Sequence, residues 1–124
     1  MASGKRIIVL DDDTSVLGAV ERVLKAHGFG VEVFDTVEGF LSGARLGDAS
    51  CLVLDIDLNG TSGIELKRQL TSAGVSVPVI FITGADKEAT RQAALEAGCI
   101  AYLEKPFPSS ALIEAIESLP PKSR

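Results

Sequence analysis

The chain has 124 residues, enough for one domain and one hydrophobic core but not for two. Hydrophobic residues make up 46% and charged residues 23%, and with no Trp present the core has to be built from Val, Ile, Leu and Ala. The net charge of −5, with Lys and Arg scattered, argues against direct nucleic-acid contact, which needs clustered bases to release phosphate counterions. Behind the first six residues, Ile7-Ile8-Val9-Leu10 is too short for a signal-peptide core or a membrane span, so the cytosol is the expected location. Cys51 and Cys99 stand outside any CxxC or His-containing cluster and read as two reduced core residues.

In chain order, short apolar runs alternate with helical patterns five times. The first run, 6–10, reads as a strand. Val16, Val20, Val23 and Leu24 then form one stripe at helical spacing, with Asp13 as its N-cap and a stop at His27-Gly28. His27, the only histidine, reads as a helix C-terminal cation or a surface residue. After a strand at 31–34, Val37, Phe40, Leu41 and Ala44 mark a second helix. The run 51–54 is followed by Ser62-Gly63-Ile64-Glu65, a capping-box pattern that opens a third helix through Leu66 and Leu70. A strand at 77–82 precedes an Ala-rich helix of Ala89, Ala93, Ala94 and Ala97, whose small side chains suit close approach to a sheet. The last strand, 100–103, leads to a helix carrying Leu112, Ile113, Ile116 and Leu119. The domain is expected over 5–119, with 120–124 as a tail or the start of a linker. Near-continuous apolar strands suggest a sheet covered on both faces, hence parallel strands. The expected fold is α/β: a doubly wound (βα)₅ sandwich with a parallel five-stranded sheet and right-handed crossovers.

Ligands in such sheets meet the carboxyl ends of the strands. There the sequence supplies Asp11-Asp12-Asp13, then Asp55 and Asp57, then Thr83-Gly84, then Glu104-Lys105-Pro106. Clustered carboxylates repel one another unless a cation sits among them. Oxygen ligands without His or Cys suit Mg²⁺, or Mn²⁺, rather than a soft metal. A carboxylate held against such a metal can attack an electrophilic phosphorus, while the metal and an ammonium neutralise the transferred oxygens and a hydroxyl donates to one of them. Asp11, Asp12, Asp55, Thr83 and Lys105 supply that set.

Taken together, Ile7-Ile8-Val9-Leu10-Asp11-Asp12-Asp13, Cys51-Leu52-Val53-Leu54-Asp55, Gly63-Ile64-Glu65-Leu66, Ile80-Phe81-Ile82-Thr83-Gly84 and the run from Ala97 to Phe107 resemble the receiver domain of bacterial two-component response regulators. The likeness runs from about Lys5 to Leu119. It implies a flavodoxin/CheY-like sheet of order 2-1-3-4-5. It also implies Asp55 as phosphoryl acceptor, Asp12 as a direct Mg²⁺ ligand and Asp11 as one acting mainly through water. The backbone carbonyl of Asp57 is implied as a further metal ligand, Lys105 as the phosphoryl-binding cation, and the Lys105–Pro106 bond as cis. Thr83 is implied as the switch hydroxyl and Tyr102 as the switch aromatic that turns inward after it; a plain reading of Tyr102 is a partly buried strand residue with its hydroxyl in water. The implied partner is a sensor histidine kinase, with a homodimer or partner contact through the fourth helix, fifth strand and fifth helix, and no nucleic-acid or membrane contact by this domain.

Asp55-Ile-Asp-Leu-Asn-Gly-Thr-Ser-Gly-Ile-Glu-Leu together with Phe-Ile-Thr-Gly is most similar to FixJ-like receivers, which usually carry a DNA-binding domain after a linker. Asp57 stands where relatives often carry Arg, and its extra carboxylate is expected to raise metal dependence and slow an anionic phosphodonor. Asn59-Gly60 replaces a common Pro-Gly turn and still makes a turn. Two other functions compete. Asp55-Ile56-Asp57 resembles the DxD motif of haloacid-dehalogenase-type phosphatases, although there the motif follows an early strand. A receiver-like interaction module that is never phosphorylated usually lacks one of the groups present here. The reading is therefore a phosphorylation switch rather than an enzyme.

Overall fold

The computed structural model describes residues 4–119; the tail expected at 120–124 lies outside the described residues. The elements follow the expected alternation: β1 (Arg6–Leu10), α1 (Thr14–Ala26), β2 (Gly30–Phe34), α2 (Val37–Gly43), β3 (Cys51–Asp55), α3 (Gly63–Ser72), β4 (Val79–Thr83), α4 (Glu88–Glu96), β5 (Ala101–Glu104) and α5 (Ser109–Glu117). The five strands form one parallel sheet in the order β2-β1-β3-β4-β5. Two short pieces leave no mark in the apolar spacing: a 3₁₀ turn at Leu46–Asp48, and an antiparallel ribbon pairing Asp57–Leu58 with Thr61–Ser62. The ribbon turns at Asn59-Gly60, where both residues take positive φ, 42° and 87°. That backbone matches the twist of a tight hairpin, and Asn and Gly are the residues that tolerate it.

Side chains alternate across the sheet and split the core in two. Ile8, Leu10, Leu52, Leu54 and Phe81 face α2, α3 and α4, where they meet Phe40, Ile64, Leu66, Leu70 and Ala94. Ile7, Val9, Cys51, Val53, Ile80 and Ile82 face α1 and α5, where they meet Leu17, Val20, Leu24, Leu112, Ile113 and Ile116. Burying each such aliphatic side chain contributes roughly 1.5–3 kcal/mol. The central strands β3 and β4 are wholly buried and the edge strands β2 and β5 mostly half-buried, which explains the near-continuous apolar runs.

Helix ends follow their capping chemistry. Asp13 Oδ1 accepts from the amides of Ser15 at 3.0 Å and Val16 at 3.3 Å, and Ser62 Oγ accepts from Ile64 at 3.1 Å and Glu65 at 3.4 Å. Glu65 itself lies 3.5 Å from the Arg68 guanidinium, an i,i+3 pair. His27 is the exposed C-cap of α1, its Nδ1 3.0 Å from Val23 O, and Gly28 follows with φ 85°. Lys5 Nζ donates to the carbonyls of Ile116 at 3.1 Å and Leu119 at 3.0 Å, tying the start of the chain to the end of α5.

Two expected core positions are corrected. Leu41 is 57% exposed. The seven-residue α2 covers only a sheet edge, and its contact is filled by Phe40, whose ring stands edge-on to Phe34 at 6.0 Å. In α4 only Ala94 is fully buried, Ala93 and Ala97 pack partly against the core, and Ala89 is exposed near the helix start.

Gly63 opens α3 directly behind Asp55, and a Cβ there would lie 2.2 Å from the Asp55 carbonyl oxygen. Backbone cannot yield as a flexible side chain does. Gly63→Ala should therefore destabilise the fold by about 1–3 kcal/mol, the usual scale of overpacking, while Gly47→Ala, with nothing within 4 Å of its Cβ, should not. Urea unfolding midpoints of the two variants test this.

Candidate functional site

Among the described residues only three polar or charged residues are buried: Asp11, Asp55 and Thr83. All three stand at carboxyl ends of central strands, and the parallel register brings them together. Leu10 pairs with Leu54, so Asp11 and Asp55 leave the sheet at one level. Asp55 pairs with Ile82, placing Thr83 one residue beyond, and Thr83 pairs with Glu104, which is followed by Lys105. The amide of Lys105 donates to Thr83 O at 2.7 Å, and the Lys105–Pro106 bond is cis.

Lys105 Nζ lies 2.8 Å from Asp11 Oδ2 and 3.4 Å from Asp55 Oδ2. The remaining oxygens hold backbone: Asp11 Oδ1 accepts from Asp13 N at 2.9 Å, and Asp55 Oδ1 from Asp57 N at 3.2 Å. The carboxylates of Asp11, Asp12 and Asp55 each offer an oxygen within 4.8 Å of the others. Asp11 Oδ2 is buried, with the Lys105 ammonium beside it. Three carboxylates against one ammonium leave a formal excess of two negative charges, which one divalent cation balances. An oxygen-only donor set carrying that negative excess fits a hard cation such as Mg²⁺.

The charge balance appears in the proton affinities. Burial, and then the neighbouring Asp11, push the Asp55 carboxyl from its ordinary 3.8 up to about 7, against the opposing pull of Lys105 and the Asp57 amide. For Lys105, burial works to lower the pKa, but Asp11 and Asp55 outweigh it and the net direction is up. Burial and carboxylate crowding thus favour the protonated form of Asp55.

The other expected residues fall around this centre. Asp57 is exposed; its amide serves Asp55, but its carboxylate is not in the cluster of three. Thr83 Oγ1 is turned to its own loop, accepting from Ala85 N at 3.1 Å and lying 3.3 Å from Ala85 O. Tyr102 is half-buried on β5, and its hydroxyl is not left to water: it donates to Asp86 Oδ1 at 3.1 Å, with the Arg91 guanidinium 4.9 Å over its ring. Asp86 and Arg91 had no signal in the sequence, since no helical or strand spacing relates them to Tyr102. Gly63 carries a capping signal, but its closeness to Asp55 is visible only once α3 is placed. Both cysteines are free, and burial pushes the Cys51 thiol up to about 12. No described helix is long and apolar enough to cross a membrane.

A family model described as the response regulator receiver domain matches residues 7–117, and the chain belongs to that family of signalling domains. It is 34% identical over 112 residues to the response regulator protein TodT of Pseudomonas putida, covering 90% of this chain and 49% of that one. It is 31% identical over 118 residues to the transcriptional regulatory protein FixJ of Bradyrhizobium diazoefficiens, covering 95% of this chain and 58% of that one. Among solved structures, the response regulator StyR superposes with a TM-score of 0.83 at 41% identity, covering 93% of this chain and 58% of that one. The chain thus spans about half the length of the curated relatives it matches. FixJ among these relatives agrees with the FixJ-like motif, and the family assignment displaces the phosphatase reading of Asp55-Ile56-Asp57.

The raised proton affinity of Asp55 has a consequence for stability. A carboxyl whose pKa rises on folding favours the folded state most below pH 3.8, and that contribution is lost as pH rises through about 7. In EDTA, the protein should therefore weaken between about pH 4 and 8, and Asp55→Asn should be the more stable at pH 8, by up to about 4 kcal/mol. Added Mg²⁺ should narrow the gap. Urea unfolding at pH 5 and 8, with EDTA or Mg²⁺, measures it; equal stabilities at pH 8 in EDTA would contradict the charge crowding.

Proposed function

We propose that the chain is a phosphorylation switch whose Asp55 accepts a phosphoryl group from the phosphohistidine of a sensor histidine kinase. The observation that carries this reading is the convergence of Asp11, Asp12, Asp55, Thr83 and Lys105 at one sheet edge in a receiver-family chain. Asp11, Asp12 and Asp55, with the backbone carbonyl of Asp57, would hold Mg²⁺ or Mn²⁺. When bound, such an ion would supply positive charge to offset that on the phosphoryl group.

An Asp55 carboxylate oxygen forms the new bond to phosphorus as the P–N bond to the donor imidazole breaks, and the imidazole nitrogen keeps that electron pair. Lys105 neutralises a phosphoryl oxygen, a role suited to an ammonium that already contacts Asp55. The Thr83 hydroxyl leaves Ala85 and donates to another oxygen, and Tyr102 follows inward. This state presents the face of α4, β5 and α5 to a second copy or a partner. Two exposed apolar side chains support an interaction there: Leu95 on α4, 55% exposed, and Ile100 just before β5, 43% exposed. The reading places the domain in the cytoplasm, without direct nucleic-acid or membrane contact. It makes the domain a switch, with self-catalysed phosphoryl transfer and aspartyl-phosphate hydrolysis as its only chemistry.

Intact-protein mass after acetyl phosphate and Mg²⁺ should show one added phosphoryl group, lost in Asp55→Ala and in EDTA. No adduct, together with no binding of beryllofluoride, would favour the unphosphorylated interaction module. Light scattering with beryllofluoride and Mg²⁺ should show a larger mass than without them; an unchanged mass and no captured partner would count against signalling through α4, β5 and α5.

A further inference from the structure

Tyr102 is the only tyrosine of the chain. Its outward position is held by two residues that the phosphoryl chemistry does not use. Its hydroxyl donates to Asp86 Oδ1 at 3.1 Å, while Asp86 Oδ2 pairs with the Arg91 guanidinium. That guanidinium in turn lies 4.9 Å from the centroid of the Tyr102 ring. The three contacts close a triangle. Asp86 sits in the loop between β4 and α4, Arg91 on the first turns of α4, and Tyr102 on β5.

We propose that Asp86 and Arg91 are positioning residues that hold Tyr102 outward and Thr83 on its own loop, and so set how readily Asp55 is phosphorylated. This rests on the switch reading above. Thr83 Oγ1 is engaged by Ala85 N and O, and Asp86 is the next residue along. For the hydroxyl to reach a phosphoryl group on Asp55, the Ala85 contacts must break and the loop must shift. A shift at Ala85 carries Asp86 with it, straining both the Tyr102 hydrogen bond and the Arg91 pair. Tyr102 cannot turn inward while its hydroxyl is bound to Asp86. The contacts therefore open together, and a group bound at Asp55 works against the closed triangle. Its apparent affinity is reduced by the small fraction of molecules already open.

The signs of the two charges separate this device from simple electrostatics. Removing Asp86 takes away a negative charge and would by itself help an anion bind at Asp55. Removing Arg91 takes away a positive charge and would by itself hinder it. Opening the triangle helps in both cases. Asp86 and Arg91 are both exposed, so neither substitution disturbs the core.

The probe is beryllofluoride with Mg²⁺, a phosphoryl mimic, titrated onto the full chain labelled with 3-fluorotyrosine, which gives one ¹⁹F line because there is one tyrosine. Asp86→Ala and Arg91→Ala should both move the unliganded line toward the wild-type liganded position. Both should also tighten beryllofluoride binding by roughly two- to fivefold, the scale on which an exposed ion pair biases a two-state equilibrium. Asp86→Asn, which keeps an acceptor for Tyr102 but loses the ion pair, should fall between wild type and Asp86→Ala. Opposite affinity changes in the two alanine variants, or shifted lines with unchanged affinity, would overturn the proposal while leaving the switch reading intact. A wild-type line that does not move on beryllofluoride binding would overturn the switch reading itself, and the triangle with it.

Discussion

The Lys105 ammonium, set between Asp11 and Asp55 at the ends of buried strands, is the contact on which the site depends. Two carboxylates at the end of an apolar sheet repel each other and have lost most of their water, Asp55 being only 3% exposed. Breaking a buried pair by removing one partner typically costs several kcal/mol, because the other charge is left uncompensated. Lys105 reduces that cost without cancelling it, and the residual negative charge is what makes the cluster receptive to a divalent cation. Stability and readiness to bind are thus opposed in the same few atoms. The raised proton affinity of Asp55 reflects that tension.

The same carboxylates also organise the chain around them. Asp11 Oδ1 holds the amide of Asp13, whose own carboxylate caps α1. Asp55 Oδ1 holds the amide of Asp57, the first residue of the short ribbon, and the ribbon ends in Ser62, which caps α3. Each acidic residue therefore uses one oxygen for scaffold and leaves the other for Lys105. Gly63 lets α3 begin against the Asp55 carbonyl, so the end of β3 is backed directly by a helix start. Preorganisation of this kind keeps the charged oxygens in place.

The other side of the site is more open to solvent. β5 is a half-buried edge strand, and the residues from Gly84 to Glu88 are exposed. Contacts there are hydrogen bonds and an exposed ion pair, weaker and more easily exchanged than the packing around β3. The division is physically consistent: buried strand ends hold the carboxylates and Thr83, while exposed loop and helix positions carry Asp86 and Arg91 against the half-buried Tyr102.

Much of this was legible in the amino-acid order. The five strands and five helices follow from apolar periodicity, and Asp13, Ser62 and Gly28 mark helix ends by local capping chemistry. Asp11, Asp12, Asp55, Thr83 and Lys105 could be picked out because a parallel sheet sends all its strand ends to one edge. What lay beyond reach was set by packing between segments distant in the chain. Leu41 fits a helical stripe, yet a short helix on a sheet edge leaves it in water. Asp57 shares a motif with Asp55, yet its exposed carboxylate is not one of the three clustered ones. The closeness of Gly63 to Asp55, and the meeting of Asp86, Arg91 and Tyr102, depend on where α3, α4 and β5 dock. Local spacing encodes elements and their ends; only the docked helices decide which side chains share an oxygen, an ammonium or a ring.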